Sequence, residues 1–186
     1  MTTQSEAQGA TTSRWAFDPY HTQVEFSAKH LGMMTVRGHF ADVSAVGNIY
    51  PDNPEASAVD VTIQTASIRT HNEKRDSDLR TSNFLETDKY PTITFKSTSV
   101  KAAGQDRFSM TGDLTIKGTT QPVTLTVVKY GEFNDPRMGH RIGYSAEGKI
   151  NRKDFGMTFN VMMDGKWMVS DEIQIMIEGE FVEQQS

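Results

Sequence analysis

Five histidines carry the most adaptable chemistry in this chain, because imidazole can ligate a metal or move a proton near neutral pH. They stand at positions 21, 30, 39, 71 and 140, and the first three recur every nine residues. Three imidazoles can hold a zinc ion. No two of the five, however, lie two or four residues apart, as paired ligands on one strand or one helical turn would. The spacing therefore favours polar or capping roles, and we predict neither a metal nor a cofactor.

Two clusters of opposite charge, Arg75-Asp76 and Arg152 with Asp154, offer a second kind of chemistry. A guanidinium donates two parallel hydrogen bonds, which suits a pyrophosphate or carboxylate head group. The same arginines fit a structural salt bridge between a helix and a turn, with several aspartates available to Arg75, and this interpretation is the stronger one. The polar residues that could contact the head group of a ligand are His21, His30, Arg75 and Arg152.

Recognised catalytic motifs are absent from the sequence. It holds no Gly-x-Ser-x-Gly elbow, no His-Glu-x-x-His motif, no phosphate loop and no Gly-x-Gly-x-x-Gly fingerprint. It also has no cysteine, which excludes disulfides, thiolate metal sites and cysteine nucleophiles. We predict that the protein is not an enzyme.

Charge and the first residues limit the partners and the location. The chain has 19 basic and 24 acidic residues, a net charge of −5, and no basic stripe for nucleic acid. Residues 1–13 are polar and lack the apolar core of a signal peptide, and no run approaches the roughly 18 apolar residues of a membrane span. We expect a cytoplasmic protein with no membrane span, no nucleic-acid partner and a disordered tail over 1–13.

Alternating apolar and polar residues predict the elements that position these groups. The alternation is cleanest over 107–117, 141–150 and 172–181. A strand with one solvent-exposed face and one buried face is typical of antiparallel sheets. Weaker strands are predicted over 20–29, 37–49, 58–65, 92–100 and 123–130.

One segment breaks the alternation and predicts a single helix over 73–80. Asn72 can cap its amino end, Glu73 lies where the helix dipole favours negative charge, and Asp76 and Arg80 form an i,i+4 pair. A loop over 81–91 follows, and we expect its apolar residues, Phe84 and Leu85, to be buried.

About eight strands and one short helix predict an all-β fold, an antiparallel barrel that closes on itself and leaves no exposed edge. We assign it to a single domain over 14–183.

A barrel of this size is packed solid or holds one small ligand. Small residues on the inward faces, such as Ala146 and Gly148, leave room for a ligand or mark bends. Crowded methionines at 157, 162, 163 and 168 suit the wall of a ligand site and equally suit gap filling in a core.

A series of short motifs follows one order along the chain. They lie at 18–21, 24–32, 36–40, 67–70, 75–76, 79–85, 90–95, 112–118, 122–123 and 151–156. Among them are Asp-Pro-Tyr-His, Val-Arg-Gly-His-Phe, Tyr-Pro-Thr-Ile-Thr-Phe and Asn-Arg-Lys-Asp-Phe-Gly. From about Trp15 to about Val182 the chain resembles the YceI-like family of polyisoprenoid-binding proteins.

The resemblance implies an extended, lipocalin-like barrel around an apolar tunnel for polyprenyl chains or similar lipids, and it suggests a homodimer. We therefore predict the binding, storage or transport of a long-chain lipid, above all a polyisoprenoid. Two alternatives stay open: an enzyme acting on a lipid or quinone in the barrel, and a stress or protein-interaction module with a solid barrel. The predicted lining comprises Phe26, Phe40, Val61, Ile63, Leu79, Phe84, Phe95, Leu114, Tyr144, Ala146, Phe155, Met157 and Trp167.

Overall fold

Twelve strands and one α-helix make up the part of the chain that the structure, a computed structural model, describes: residues 14–184. The strands are β1 (Arg14–His30), β2 (Met34–Phe40), β3 (Val43–Asn48), β4 (Ala58–Gln64), β5 (Ile68–Arg69), β6 (Thr92–Gly104), β7 (Arg107–Ile116), β8 (Thr119–Asp135), β9 (Gly139–Asn151), β10 (Met162–Met163), β11 (Lys166–Trp167) and β12 (Glu172–Gln184). The helix is α1 (Glu73–Arg80), and short 3-10 turns lie at Pro54–Ala56, Thr65–Ser67 and Arg152–Phe155. The tail predicted over 1–13 lies outside the described residues.

Eight of the strands close into an antiparallel barrel. They pair in the order β12-β9-β8-β7-β6-β4-β3-β1, and β1 pairs again with β12. The alternation explains the closure, because each strand turns its apolar face inward and pairing around a ring leaves no unpaired edge. The predicted barrel of about eight strands with one short α-helix is confirmed.

The first strand is longer than predicted and carries a wide bulge. Asp18 pairs with Glu180, and Thr22 pairs with the next residue of β12, Gly179, so three residues of β1 stand out of the ladder. Asp18 organises this bulge: its Oδ1 accepts from the Tyr20 backbone N–H at 2.9 Å, and its carbonyl accepts from Thr22 Oγ1 at 2.8 Å. On the side away from β12, β1 pairs with β3 at Ala16 and with β2 from Val24 onward.

The single strand predicted over 37–49 is wrong, because the structure divides it into β2 and β3. The Ala41 N–H donates to the Ser67 carbonyl at 3.2 Å, and the Asp42 carbonyl accepts from the Gln64 N–H at 3.0 Å. These bonds turn the chain, so that β2 pairs with β1 and β5 while β3 pairs with β4. The inward-facing positions change phase at this break, from Gly38 and Phe40 on β2 to Val43 and Ala45 on β3.

The predicted helix is confirmed at both ends. The Asn72 side chain accepts from the Arg75 N–H at 3.0 Å, which caps the amino end of α1. Inside the first turn, buried Asp76 accepts from both the N–H and the hydroxyl of Thr70 and ties the helix to β5. The burial expected for Phe84 and Leu85 is confirmed as well, since each is 7% exposed.

The barrel has two different ends. The helix end carries α1, the loop over 81–91, the segment over 152–171 and the turn from β1 to β2. The hairpin end carries the β8–β9 and β6–β7 turns, and there Trp15, Ile49 and Ile142 form a small buried cluster. The main apolar core lies between the two ends on the inner faces of the strands.

Candidate functional site: a cavity inside the barrel

A cavity of about 310 Å³ runs along the barrel interior. All eight barrel strands contribute to its wall. Ile49 and Phe108 line it near the hairpin end, and Leu79, Phe84 and Met157 line it near the helix end. Its volume falls at the lower end of the roughly 300–1,000 Å³ typical of ligand sites. The barrel is therefore not packed solid.

Eleven of the thirteen residues predicted to line a ligand site stand in this wall. Phe155 and Trp167 do not. Phe155 is 1% exposed and packs into the core, whereas Trp167 on β11 is 53% exposed to solvent. The eleven wall residues are Phe26, Phe40, Val61, Ile63, Leu79, Phe84, Phe95, Leu114, Tyr144, Ala146 and Met157. Their contact with a ligand stays a prediction.

Arg152 borders the cavity, and its guanidinium donates four hydrogen bonds to the protein itself. It donates to the carbonyl of Met157, to those of Phe159 at 2.8 Å and Ser170 at 3.1 Å, and to Asp171 Oδ1 at 3.0 Å. Burial lowers the pKa of Arg152, and Asp171 offsets part of that effect. A guanidinium stays charged in proteins. Arg152 thus fixes the segment that follows β9 and closes the helix end.

The other three predicted head-group residues lie away from the cavity wall. His21 is exposed on the β1 bulge, with its Nδ1 2.9 Å from Asp18 Oδ2. His30 contacts the Met168 carbonyl through its Nδ1 at 3.0 Å. Arg75 donates to the hydroxyl and the carbonyl of Thr70 at 2.7 and 2.6 Å, where the sequence suggested an aspartate as its partner. The structure therefore does not bring these residues together at one site.

Tyr144 is the phenol in the cavity wall. Burial, and then the carboxylates of Glu132 and Asp106, raise its pKa to about 12. Its ring packs edge-on against Phe181, with the centroids 6.2 Å apart. Tyr144 therefore stays a neutral phenol at every physiological pH, and it adds no charge to an apolar wall.

Asp18, His21 and Glu180 form the one group of three potential metal ligands in residues 14–184, with ligand atoms within 4.8 Å of one another. Arg141 Nη1 already donates to Asp18 Oδ2 at 2.7 Å and to Glu180 Oε2 at 2.8 Å. Burial alone would raise the pKa of Asp18, but hydrogen bonds from His21, Arg141 and the Tyr20 N–H lower it to about 2. The group is an ion-pair cluster that fastens the bulge to β9 and β12.

Sequence reasoning missed two features. The β1 bulge was signalled by Asp18-Pro19, since an aspartate before a proline favours a turn. The exposure of Met162 and Met163, 55% and 53%, had no signal, because a methionine on a protruding hairpin looks like a methionine in a core.

The YceI-like domain family matches residues 15–181. Protein YceI of Shigella flexneri is 42% identical over 164 residues, which cover 88% of this chain and 83% of that protein. The chain belongs to the YceI-like family.

Solved structures of YceI-like folds agree with this barrel. A Campylobacter jejuni YCEI protein is 33% identical and superposes with a TM-score of 0.73 over 85% of this chain and 90% of its own. A polyisoprenoid-binding domain from Saccharophagus degradans is 14% identical, with a TM-score of 0.65 over 92% of this chain and 99% of its own. At 14% identity, the similarity to the Saccharophagus degradans domain shows a shared fold alone.

Within residues 14–184, this YceI-like protein has no helix with the length and apolar character needed to cross a bilayer.

Proposed function

We propose that this protein binds a long-chain apolar lipid inside the barrel. The observation that carries the proposal is the cavity itself, which extends between the two ends and has an almost wholly apolar wall. Extended apolar ligands gain their affinity from buried surface, and they need no particular polar partner.

The energetics of burial support this proposal. A buried CH₂ group contributes ~0.8 kcal/mol, so one five-carbon isoprene unit gains roughly 3–4 kcal/mol before ordering costs. Micromolar binding requires about −8 kcal/mol. A few buried units therefore suffice, even after the entropy lost on binding is subtracted.

Three polar groups of the wall are bound by the protein itself, which favours binding over catalysis. Arg152 has four oxygen acceptors, Thr22 donates to the Asp18 carbonyl, and Ser57 accepts from the Tyr50 N–H. These groups are engaged in holding the barrel, and general acid–base chemistry needs a side chain free to exchange a proton with the substrate.

A polyisoprenoid is the lipid class that we favour. The family resemblance and the fold shared with the polyisoprenoid-binding domain of Saccharophagus degradans support it. The homodimer and the cytoplasmic location stay predictions.

Native mass spectrometry of the protein purified from its own host tests the proposal. We expect a complex heavier than the apoprotein, whose extra mass appears in an organic extract as a prenyl or acyl lipid. Apoprotein alone, together with failure to take up either a fluorescent prenyl probe or a fluorescent acyl probe, would contradict lipid binding. A prenyl lipid in the extract would support the polyisoprenoid assignment, and an acyl lipid would overturn it.

A further inference from the structure

Six apolar side chains are left exposed at the helix end of the barrel. They belong to the turn between β1 and β2 and to the hairpin formed by β10 and β11. Their exposed fractions range from 40% for Val161 to 67% for Met33. Groups of exposed apolar side chains mark interaction sites. This methionine–tryptophan patch consists of Met33, Met34, Val161, Met162, Met163 and Trp167.

Backbone hydrogen bonds hold the two parts of the patch side by side. The Leu31 N–H donates to the Met168 carbonyl at 3.2 Å, and His30 bridges to Val169. The hairpin β10–β11 turns through Asp164 and Gly165, whose φ values of 48° and 72° are those of a tight two-residue turn. The patch is therefore presented by defined backbone.

The β10–β11 hairpin exposes side chains on both of its faces. Met162 pairs with Trp167, and Met163 pairs with Lys166. Successive residues of a strand point to opposite faces, so these two pairs lie on different faces of the hairpin. All four residues are exposed. A flat protein partner would cover one face, whereas insertion among lipid head groups covers both.

The charges beside the patch complement a phosphate-bearing surface. Segments 29–37 and 161–168 hold three cations, Lys29, Arg37 and Lys166, and one acid, Asp164, in a chain whose net charge is −5. Among the ion pairs of residues 14–184, none involves these three cations. A tryptophan flanked by lysine and arginine is typical of side chains at the interface between a bilayer and water.

We propose that the methionine–tryptophan patch docks this protein on the surface of a phospholipid bilayer, with the β10–β11 tip inserted among the head groups. The patch adjoins the cavity, because Val169, two residues beyond Trp167, lines the cavity wall. The proposal goes beyond lipid binding in the barrel, and either one can fail without the other.

Tryptophan fluorescence tests the docking directly. The chain has two tryptophans: Trp15 is 4% exposed, and Trp167 is 53% exposed. Vesicles of phosphatidylcholine and phosphatidylglycerol in equal parts should shift the emission of Trp167 to the blue, and lipids brominated on their acyl chains should quench it. Trp167→Phe should abolish the shift. An unchanged wild-type spectrum, with no protein floating with the vesicles, would overturn the proposal.

A matched pair of double variants adds a second test. Met162→Ser with Met163→Ser should lower partition into these vesicles roughly tenfold or more. Phe133→Ser with Met138→Ser removes side chains that are 52% and 53% exposed at the hairpin end and should leave partition unchanged. Uptake of a fluorescent prenyl probe without vesicles should persist in both double variants, so cavity binding is scored separately.

Two results of that comparison would contradict docking on a bilayer. Equal losses of partition in the two double variants would show that the patch has no special role. A dimer formed without vesicles by the wild type and lost in Met162→Ser with Met163→Ser would assign the patch to a second copy of the chain.

Discussion

The ring of Phe26 lies across Gly38 on the neighbouring strand. A Cβ atom added to Gly38 would stand 2.5 Å from Phe26 Cζ and 2.8 Å from the Arg69 carbonyl oxygen. The two residues are direct register partners between β1 and β2. Phe26 also lines the cavity, so the glycine determines where one wall of the ligand site lies.

Gly38→Ala should therefore destabilise the protein. The added methyl group must displace both an aromatic ring and backbone, and overpacking of this kind costs about 1–3 kcal/mol. Urea denaturation measures the change. Gly143→Ala is the control, because a Cβ at Gly143 meets nothing within 4 Å; its stability should stay the same or rise by about 0.4–1 kcal/mol. Equal stability of the two variants would mean that the ring moves aside freely.

Ala146→Phe should weaken lipid uptake while the barrel stays folded. Ala146 lines the cavity beside Tyr144, so the added ring enters open space. Thermal unfolding and uptake of a fluorescent prenyl or acyl probe are the two readouts. Glu147→Phe adds the same ring to the exposed face of the same strand and should leave uptake intact. A loss of roughly 1–3 kcal/mol with no effect on uptake would instead indicate a tightly packed interior at this position.

Arg152→Met should cost stability well beyond an ordinary surface change. It leaves the carbonyls of Met157, Phe159 and Ser170 without their donor. Removing one partner of a buried charged network costs about 3–5 kcal/mol. Arg107→Met removes a guanidinium from an exposed position on β7 and should change stability by less than about 0.5 kcal/mol. If Arg152→Met stays as stable as wild type but loses probe uptake, Arg152 contacts the ligand and the structural role is wrong.

His140 should make stability depend on pH near neutrality. Its Nδ1 lies 2.8 Å from Glu183 Oε2 and its Nε2 lies 2.5 Å from Glu132 Oε1, so only the doubly protonated ring donates to both. The hydrogen bond with Glu183, followed by that with Glu132, raises the pKa of His140 above 6.5, although burial opposes the rise. The contribution of His140 to the free energy of unfolding is complete below pH 6.5, and it is lost as the pH rises through the higher pKa of the folded state.

Urea unfolding across a pH series measures that loss, and His140→Gln should remove it. A wild-type profile that is flat above pH 6.5 and identical to that of His140→Gln would contradict the role given to His140.

Asp18 should make stability depend on pH in the acidic range. Its pKa is lowered from 3.8 to about 2, so its contribution to the free energy of unfolding is complete above pH 3.8 and is lost as the pH falls toward 2. The same urea series, extended to acidic pH, measures this loss.

The parts of the fold that follow a local rule could be predicted from the sequence. Alternating apolar and polar residues predicted most of the strands, and Asn72 predicted the start of the helix. The lining residues followed from the inward faces, which is why Phe95 and Leu114 lie in the wall. Trp167 does not line the cavity, because it lies on the β10–β11 hairpin, where its side chain is 53% exposed to solvent. The break at Ala41 is visible only as a shift in the alternation, because the inward-facing positions are even-numbered up to Phe40 and odd-numbered from Val43. Treating 37–49 as one strand overlooked that shift.

The closing pair of strands also fixes when the cavity can come into being. Arg14 and Gln184 are register partners, so the first and last strands of the barrel meet along their length. Contacts this distant in sequence form late and slowly in folding. Until β12 has been synthesised and has left the ribosome, β1 has no β12 to pair with, and the cavity lacks one wall. A ligand can therefore be enclosed only after β12 has paired with β1.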